Sequence, residues 1–296
     1  MQNLINIVTR FSENKDVKDN LIATSLEGLS IVYFQSPTTT QPVVYTPTLC
    51  LILQGCKEAR IGSRRLQLHP GQAIVVSHVV PIMVCVTEAS LEKPYLALLL
   101  NLDMNVLRSL YKNVTAFAGQ ASHHVQDQTP KALEVGYADA DLIDALRRLC
   151  LLVDAPLDAK ILAPLVMREI YYRLILADHG AMLRCMLWKG SHANLISRTI
   201  THIQERYTVP LNTSKLADIA GMSPSSFHAH FKAITGTTPL QYQKDLRLLH
   251  AQRHLMEGSY SVTAAAFEVG YESLTQFSRE YTRKFGASPK HDFLKI

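Results

Sequence analysis

Histidine and cysteine are the residues whose chemistry would show first, and their spacing argues against the obvious uses. His69 and His78 stand alone. His123 and His124 are neighbours on a segment read as loop or helix. No H-x-H with a downstream Glu and His occurs, so no metal centre is expected. His228 and His230 are two apart in a helical stretch and point to different faces. A Gly-rich phosphate loop and a nucleophile elbow are also missing. The sequence therefore predicts no cofactor and no enzyme, although a catalytic barrel with a helical appendage stays as the rival class. Cys50, Cys56 and Cys85 leave another alternative, a thiol sensor of oxidants or reactive aldehydes, against the usual inertness of buried cysteine. Five cysteines at scattered spacings fit a reducing compartment.

A different chemistry is written in the last hundred residues, where one pattern occurs twice. Phe227, Phe231, Gly236 and Pro239 recur fifty residues later as Phe277, Tyr281, Gly286 and Pro289. Ala220-Gly221 recurs as Val269-Gly270 at an offset of forty-nine, so the second turn is one residue longer. Asn212 and Thr213 are helix-capping types, Gly221 ends a helix, and Ser223-Pro224 starts the next. Ser261, Gly270 and Gly286 repeat that logic. Each i,i+4 aromatic pair shares one buried face. Two helix-turn-helix units, over 211–242 and 261–293, are the expected result. Such a pair can place two recognition helices in successive major grooves of DNA. Between them, Pro239 to Met256 reads as one helix of about 27 Å, near the groove repeat of about 34 Å.

The run LADIAGMSPSSFHAHFKAITGTTPLQYQKDLRL followed by AAFEVGYESLTQFSREYTRKFGASPK resembles the AraC/XylS family of bacterial transcription regulators. The resemblance covers about residues 195 to 290. It implies a seven-helix DNA-binding domain spanning about two turns of double-stranded DNA, with RNA polymerase as a further partner. By the family's pattern, Ser225, Ser226, His228 and Ala229 of the first unit face bases, as do Leu274, Thr275, Gln276 and Arg279 of the second. Arg279 suits guanine and Gln276 adenine. Ala229 stands where many family members carry a long basic side chain, which weakens direct readout by the first unit. Ser223, Lys232, Arg283 and Lys284 are expected at phosphates.

The rest of the chain must position these groups. At 296 residues it has room for about two domains. The net charge of +5 is uneven, with twelve Lys and Arg against eight Asp and Glu over residues 191–296. No apolar run reaches 18 residues, and MQNLINIVTRFSENKD lacks the character of a signal peptide, so a cytoplasmic protein away from membranes is expected. The sequence predicts a regulatory domain over 1–190 and a DNA-binding domain over 195–296. Within the first, IVYF, LCLILQ, ARIG, AIVV, MVCVTEA and YLALLLNL are apolar runs of strand length broken by Pro, Gly and Ser, which suggests a barrel or sandwich. The block from Val44 to Asp103 resembles the regulatory domain of one AraC branch. That implies a cupin-like β-barrel, over about 20–102, able to hold a small-molecule effector. Tyr45, Gln54, Lys57, Arg60 and His78 are the polar candidates to line its pocket.

Apolar spacing of three and four from Asp139 to Leu187 predicts helices, with Pro164 in a first turn. The family resemblance makes them a dimer interface. Gly190 to Asn194 reads as a linker or helix break. The fold class expected is α+β in two domains, with an all-α double helix-turn-helix at the C-terminus. The function expected is a dimeric, effector-controlled regulator, and an activator.

Overall fold

The computed structural model describes residues 1–13, 20–118 and 131–293. Among these described residues, ten strands form two antiparallel sheets that pack face to face. They are β1 (Leu21–Ala23), β2 (Leu29–Phe34), β3 (Gln41–Tyr45), β4 (Thr48–Gln54), β5 (Cys56–Ile61), β6 (Arg64–Leu68), β7 (Gln72–Val76), β8 (Val80–Glu88), β9 (Tyr95–Asn101) and β10 (Leu133–Tyr137). One sheet runs β1-β2-β9-β4-β7-β10 and the other β3-β8-β5-β6. The barrel of the sequence reading is therefore an open sandwich, because no hydrogen-bonded ladder joins the two sheets among the described residues. The chain changes sheet at Gly55, between β4 and β5, with irregular pairing on both sides. A φ of +73° and a backbone approach by the Glu88 carbonyl leave no room there for a Cβ.

Strand β4 is buried along nearly its whole length because both its faces are covered. Cys50 and Ile52 look inward between the sheets. Leu49, Leu51 and Leu53 look outward, under α1 (Gln2–Glu13), α3 (Ala140–Leu151) and α4 (Pro156–Leu176). Burying both faces explains a continuous apolar run where a one-sided strand would alternate. Helix α2 (Met104–Ala118) follows β9 directly. Asp139 caps α3 by accepting a bond of 2.7 Å from the Leu142 amide. Arg148 to Glu169 and Arg173 to Asp141 tie α3 to α4, while Arg148 to Asp144 and Arg173 to Glu169 pair within their own helices. Pro164 lies inside α4, because the helix starts two turns earlier at Pro156. A first-turn position for Pro164 is thus corrected.

Helix α5 (Ala181–Leu187) leads to Gly190, whose positive φ of 84° makes the turn. Ser191 then caps α6 (His192–Glu205) through the Asn194 amide. The remaining helices are α7 (Thr213–Ala220), α8 (Pro224–Thr235), α9 (Pro239–Met256), α10 (Val262–Glu268), α11 (Leu274–Phe285) and α12 (Pro289–Phe293). The sandwich interior and the first helical unit share one continuous apolar core, which runs from Ile52 and Val80 through Ile196 to Phe227 and Tyr242. The second unit has a separate core around Phe277 and Tyr281.

Candidate nucleic-acid interface

Each unit is built by the capping chemistry of its own sequence. Asn212 caps α7 by accepting from Lys215, and Gly221 ends it at φ +62°. Ser223 caps α8 through the Ser226 amide, so its hydroxyl is engaged inside the protein. Gly236 ends α8 at φ +76°. Ser261, Ser273 and Gly286 do the same work in the second unit. Phe227 and Phe231 are fully buried, and so are Phe277 and Tyr281.

With those pairs turned inward, the opposite faces of α8 and α11 meet solvent. Ser225, His228, Ala229 and Lys232 are exposed, and Ser226 is half-buried. Leu274, Thr275, Gln276, Arg279 and Arg283 are exposed on α11. The Arg279 guanidinium has no hydrogen-bond or ion-pair partner among the described residues. The Gln276 amide donates to Glu280 at 3.1 Å, so reading a base requires it to leave that bond. Lys284 is a departure from the sequence reading. Its ammonium is tied to Asp245 on α9 at 2.8 Å, and both side chains are largely buried. It braces α11 against α9, and a phosphate contact would have to break that pair.

Two polar clusters hold the units together, and the sequence did not single them out. Glu280 is buried and takes bonds from Lys244, Gln276 and the Tyr271 hydroxyl. Burial opposes its charge, but those donors win and hold the carboxyl below its ordinary value. Arg247 of α9 donates to the carbonyls of Tyr207, Thr208 and Val209 before the first unit and to Gly270 in the turn of the second. Gln243 reaches the Tyr207 and Val209 carbonyls as well. Charge-assisted bonds to otherwise orphaned carbonyls are the stronger kind. Basic residues at i and i+3 on a connecting helix were the available signal, but nothing local in the sequence says what they grip.

The five pocket candidates separate. Lys57 and Tyr45 meet, with the ammonium 2.8 Å from the phenol oxygen and 5.4 Å from the ring centre. Gln54 donates to the Pro94 carbonyl at the strand end. Arg60 lies exposed at a cleft of about 280 Å³ between the sandwich and both helical units, opposite Gln241, Asp245 and Arg283. His78 is buried at the domain contact, where its Nε2 bonds the Ala193 carbonyl at 3.0 Å and its Nδ1 the Ser77 hydroxyl at 2.8 Å. A single pocket lined by all five is therefore corrected. Strand alternation scatters them, and the irregular pairings flanking Gly55 reset which residues face inward.

Thiolate chemistry finds little support. Burial pushes the Cys50 thiol up, pushes Cys56 up to about 11 and pushes Cys150 up to about 12. Among the described residues, no three His, Cys, Asp or Glu side chains converge as metal ligands. His123 and His124 lie outside the described residues. No described helix is long and apolar enough to cross a membrane.

Further contacts join the sandwich to the first unit. The Tyr242 hydroxyl donates to the Val79 carbonyl at 2.8 Å, and the Ala132 amide to the Ile234 carbonyl at 3.0 Å. At Gly62 and Gly236 the two backbones touch so closely that a Cβ on Gly62 would strike the Gly236 carbonyl.

Against known proteins, residues 25–182 match the model of the AraC-type transcriptional regulator N-terminus, and residues 216–293 match a helix-turn-helix domain. The virulence regulon transcriptional activator VirF of Yersinia enterocolitica is 26% identical over 162 residues, which is 54% of this chain and 59% of VirF. The HTH-type transcriptional activator RhaS of Pectobacterium carotovorum is 31% identical over 101 residues, covering 34% of this chain and 36% of RhaS. The chain thus spans less than two thirds of the length of these relatives. The fold is similar to that of ToxT from Vibrio cholerae O395, solved with a naphthalenyl butenoic acid, at a TM-score of 0.58 and 9% identity over 91% of this chain and all of that one. The match over the N-terminal half, joined to the duplicated helix-turn-helix, places this chain in the AraC/XylS family of transcription regulators.

Proposed function

We propose that this chain is a sequence-specific DNA-binding transcription regulator of the cytoplasm, not an enzyme, and that it activates transcription with RNA polymerase under control of a small-molecule effector. One observation carries the reading: two capped helix-turn-helix units whose outer faces are free, with the first fused through its core to a sandwich. The division near residue 190 then separates sensing from DNA contact. An effector that favours one packing of sandwich on unit changes how the two recognition helices sit on their half-sites. The ToxT structures, one with an unsaturated fatty acid and another with a synthetic acid, lend support to a ligand in this architecture.

Base reading is assigned to Arg279 first. Arg279→Ala is expected to cost about 1–3 kcal/mol at the preferred site and to relax specificity at one base pair. Lys232→Ala is expected to weaken binding to all sequences alike and to reduce the salt slope by about one. Fluorescence anisotropy on matched and singly altered duplexes across a salt series separates the two. An Arg279→Ala loss equal on every duplex would remove its base-reading role.

Dimerisation is assigned to α4. Leu157, Ile161, Leu165, Tyr172 and Leu176 are exposed along that helix. A two-fold pairing of this face with a second copy would cover it, and covering such a stripe is the usual reason to keep one. Ile161→Glu combined with Leu165→Glu is expected to give a monomer in sedimentation velocity, with affinity for a two-site operator down about 100-fold. A dimer that survives both changes would place the interface elsewhere.

A further inference from the structure

Between the two sheets lies a group that folding alone does not explain. Lys57 points inward from β5 and is 6% exposed. Its ammonium meets the Tyr45 hydroxyl at 2.8 Å and the Cys50 sulfur at 3.9 Å, and no carboxylate pairs with it among the described residues. Glu58, the next residue, turns the other way to Arg65 and Gln67. The Tyr95 side chain shares this interior and is completely buried, and its hydroxyl, which lies near enough for the Lys57 ammonium to act on it, has no close hydrogen-bond partner. Burial pushes the Tyr45 and Tyr95 phenols and the Cys50 thiol up, so all three are neutral near pH 7. A buried cation with only neutral neighbours costs stability, and so does an orphaned buried hydroxyl. Both defects call for the same missing thing, an anion that accepts from all three donors.

The surroundings set the rest of the ligand. Ile52, Val86 and Ala97 line the same interior, and the Phe34 ring stands 6.4 Å from that of Tyr95. Tyr45 is on β3, an edge strand paired only with β8.

We propose that the sandwich interior binds an organic carboxylate with an apolar body, its charged head held by the Lys57 ammonium and the Tyr45 and Tyr95 hydroxyls. This rests on the reading of the chain as an effector-controlled regulator and adds the chemical class of the effector. An ammonium with hydroxyl donors selects an acid over its uncharged analogue, because charge-assisted bonds are about twice as strong as neutral ones. The apolar walls reject a small, fully hydrated anion.

The test uses the full chain and three probe pairs: benzoate with benzamide, octanoate with octanamide, and oleate with oleamide. Calorimetric titration and thermal unfolding are read on the wild type, Lys57→Met and Tyr95→Phe. At least one acid is expected to bind at least about tenfold more tightly than its amide. Lys57→Met is expected to erase that preference and to raise the unliganded Tm by about 4 °C, since a matched apolar chain replaces an uncompensated cation. Tyr95→Phe is expected to keep or slightly raise the unliganded Tm, because it removes a buried hydroxyl without a close partner, and to weaken the acid about fivefold. The assignment is overturned if no acid binds below about 10 mM, if amides bind as well as acids, or if Lys57→Met keeps the preference or lowers the Tm. DNA affinity measured in parallel keeps the two levels apart. Intact DNA binding without an acid response removes the effector class alone, whereas no DNA binding under any condition removes the regulator reading beneath it.

Discussion

Gly270→Ala is expected to dismantle the second DNA-binding unit, at a cost of about 3–4 kcal/mol. Gly270 sits at φ +88°, and a Cβ added there runs into the Thr208 backbone, its carbonyl first. An L-residue is strained at that φ, and the approaching atoms are backbone, which cannot rotate away. The same glycine's carbonyl takes one of the Arg247 bonds, so any shift to relieve the clash also loosens the grip between units. Gly221 is the internal control. It has φ +62° at the matching turn of the first unit, but an added Cβ meets open space. Gly221→Ala should therefore cost only the conformational strain, about 1–2 kcal/mol. Equilibrium unfolding of both variants gives the comparison. Equal losses would mean that the turn conformation alone matters and that the Thr208 approach does not.

The second large effect is acid sensitivity at the domain contact. Burial holds the His78 imidazole down at about 4, only partly offset by its bond to the Ala193 carbonyl. The fold thus favours the neutral ring. Its stabilisation is fully present above an ordinary histidine value near 6.5 and is lost as pH falls from there toward about 4. That gap corresponds to on the order of 3 kcal/mol. The loss should be felt first where His78 acts, between the β7–β8 turn and α6, so the sandwich is expected to part from the first unit before either unfolds. Hydrogen exchange at the α6 amides between pH 7 and pH 5 would report it. His78→Phe, which keeps an apolar ring and cannot charge, should flatten that pH dependence while giving up the Ala193 bond. A pH dependence unchanged in His78→Phe would contradict the assignment.

How legible the molecule was depends on how local each signal is. Helix ends at Asn212, Ser223, Ser261, Gly236 and Gly286 were readable because capping is decided within a few residues. Which faces of α8 and α11 are exposed followed once the aromatic pairs were turned inward. Strand β10 was not readable. Its partner β7 lies more than fifty residues earlier, and nothing local marks the pairing. Strand β3 was missed because Pro42 reads as a break, yet an edge strand tolerates it. Helices α1 and α2 were missed too. The sequence offered five polar residues for one pocket, and the sandwich keeps only Tyr45 and Lys57 together. Tyr95, which completes that corner, was hidden inside an apolar run, where a tyrosine reads as core. Lys284 carried a basic charge at an apt position, but Asp245 across the helix pair claims it.

The central claim is that one chain carries two DNA-reading units held in fixed relation by α9. Selection of bound duplexes from a random pool at physiological salt, with the full chain, tests it most directly. The account predicts a motif of two blocks about one helical turn apart. The block under α11 should be the sharper, since base reading is proposed for Arg279 there while Ala229 offers the first unit only an apolar contact. Enrichment of a single block, or two blocks at variable spacing, would contradict the rigid pairing of the units.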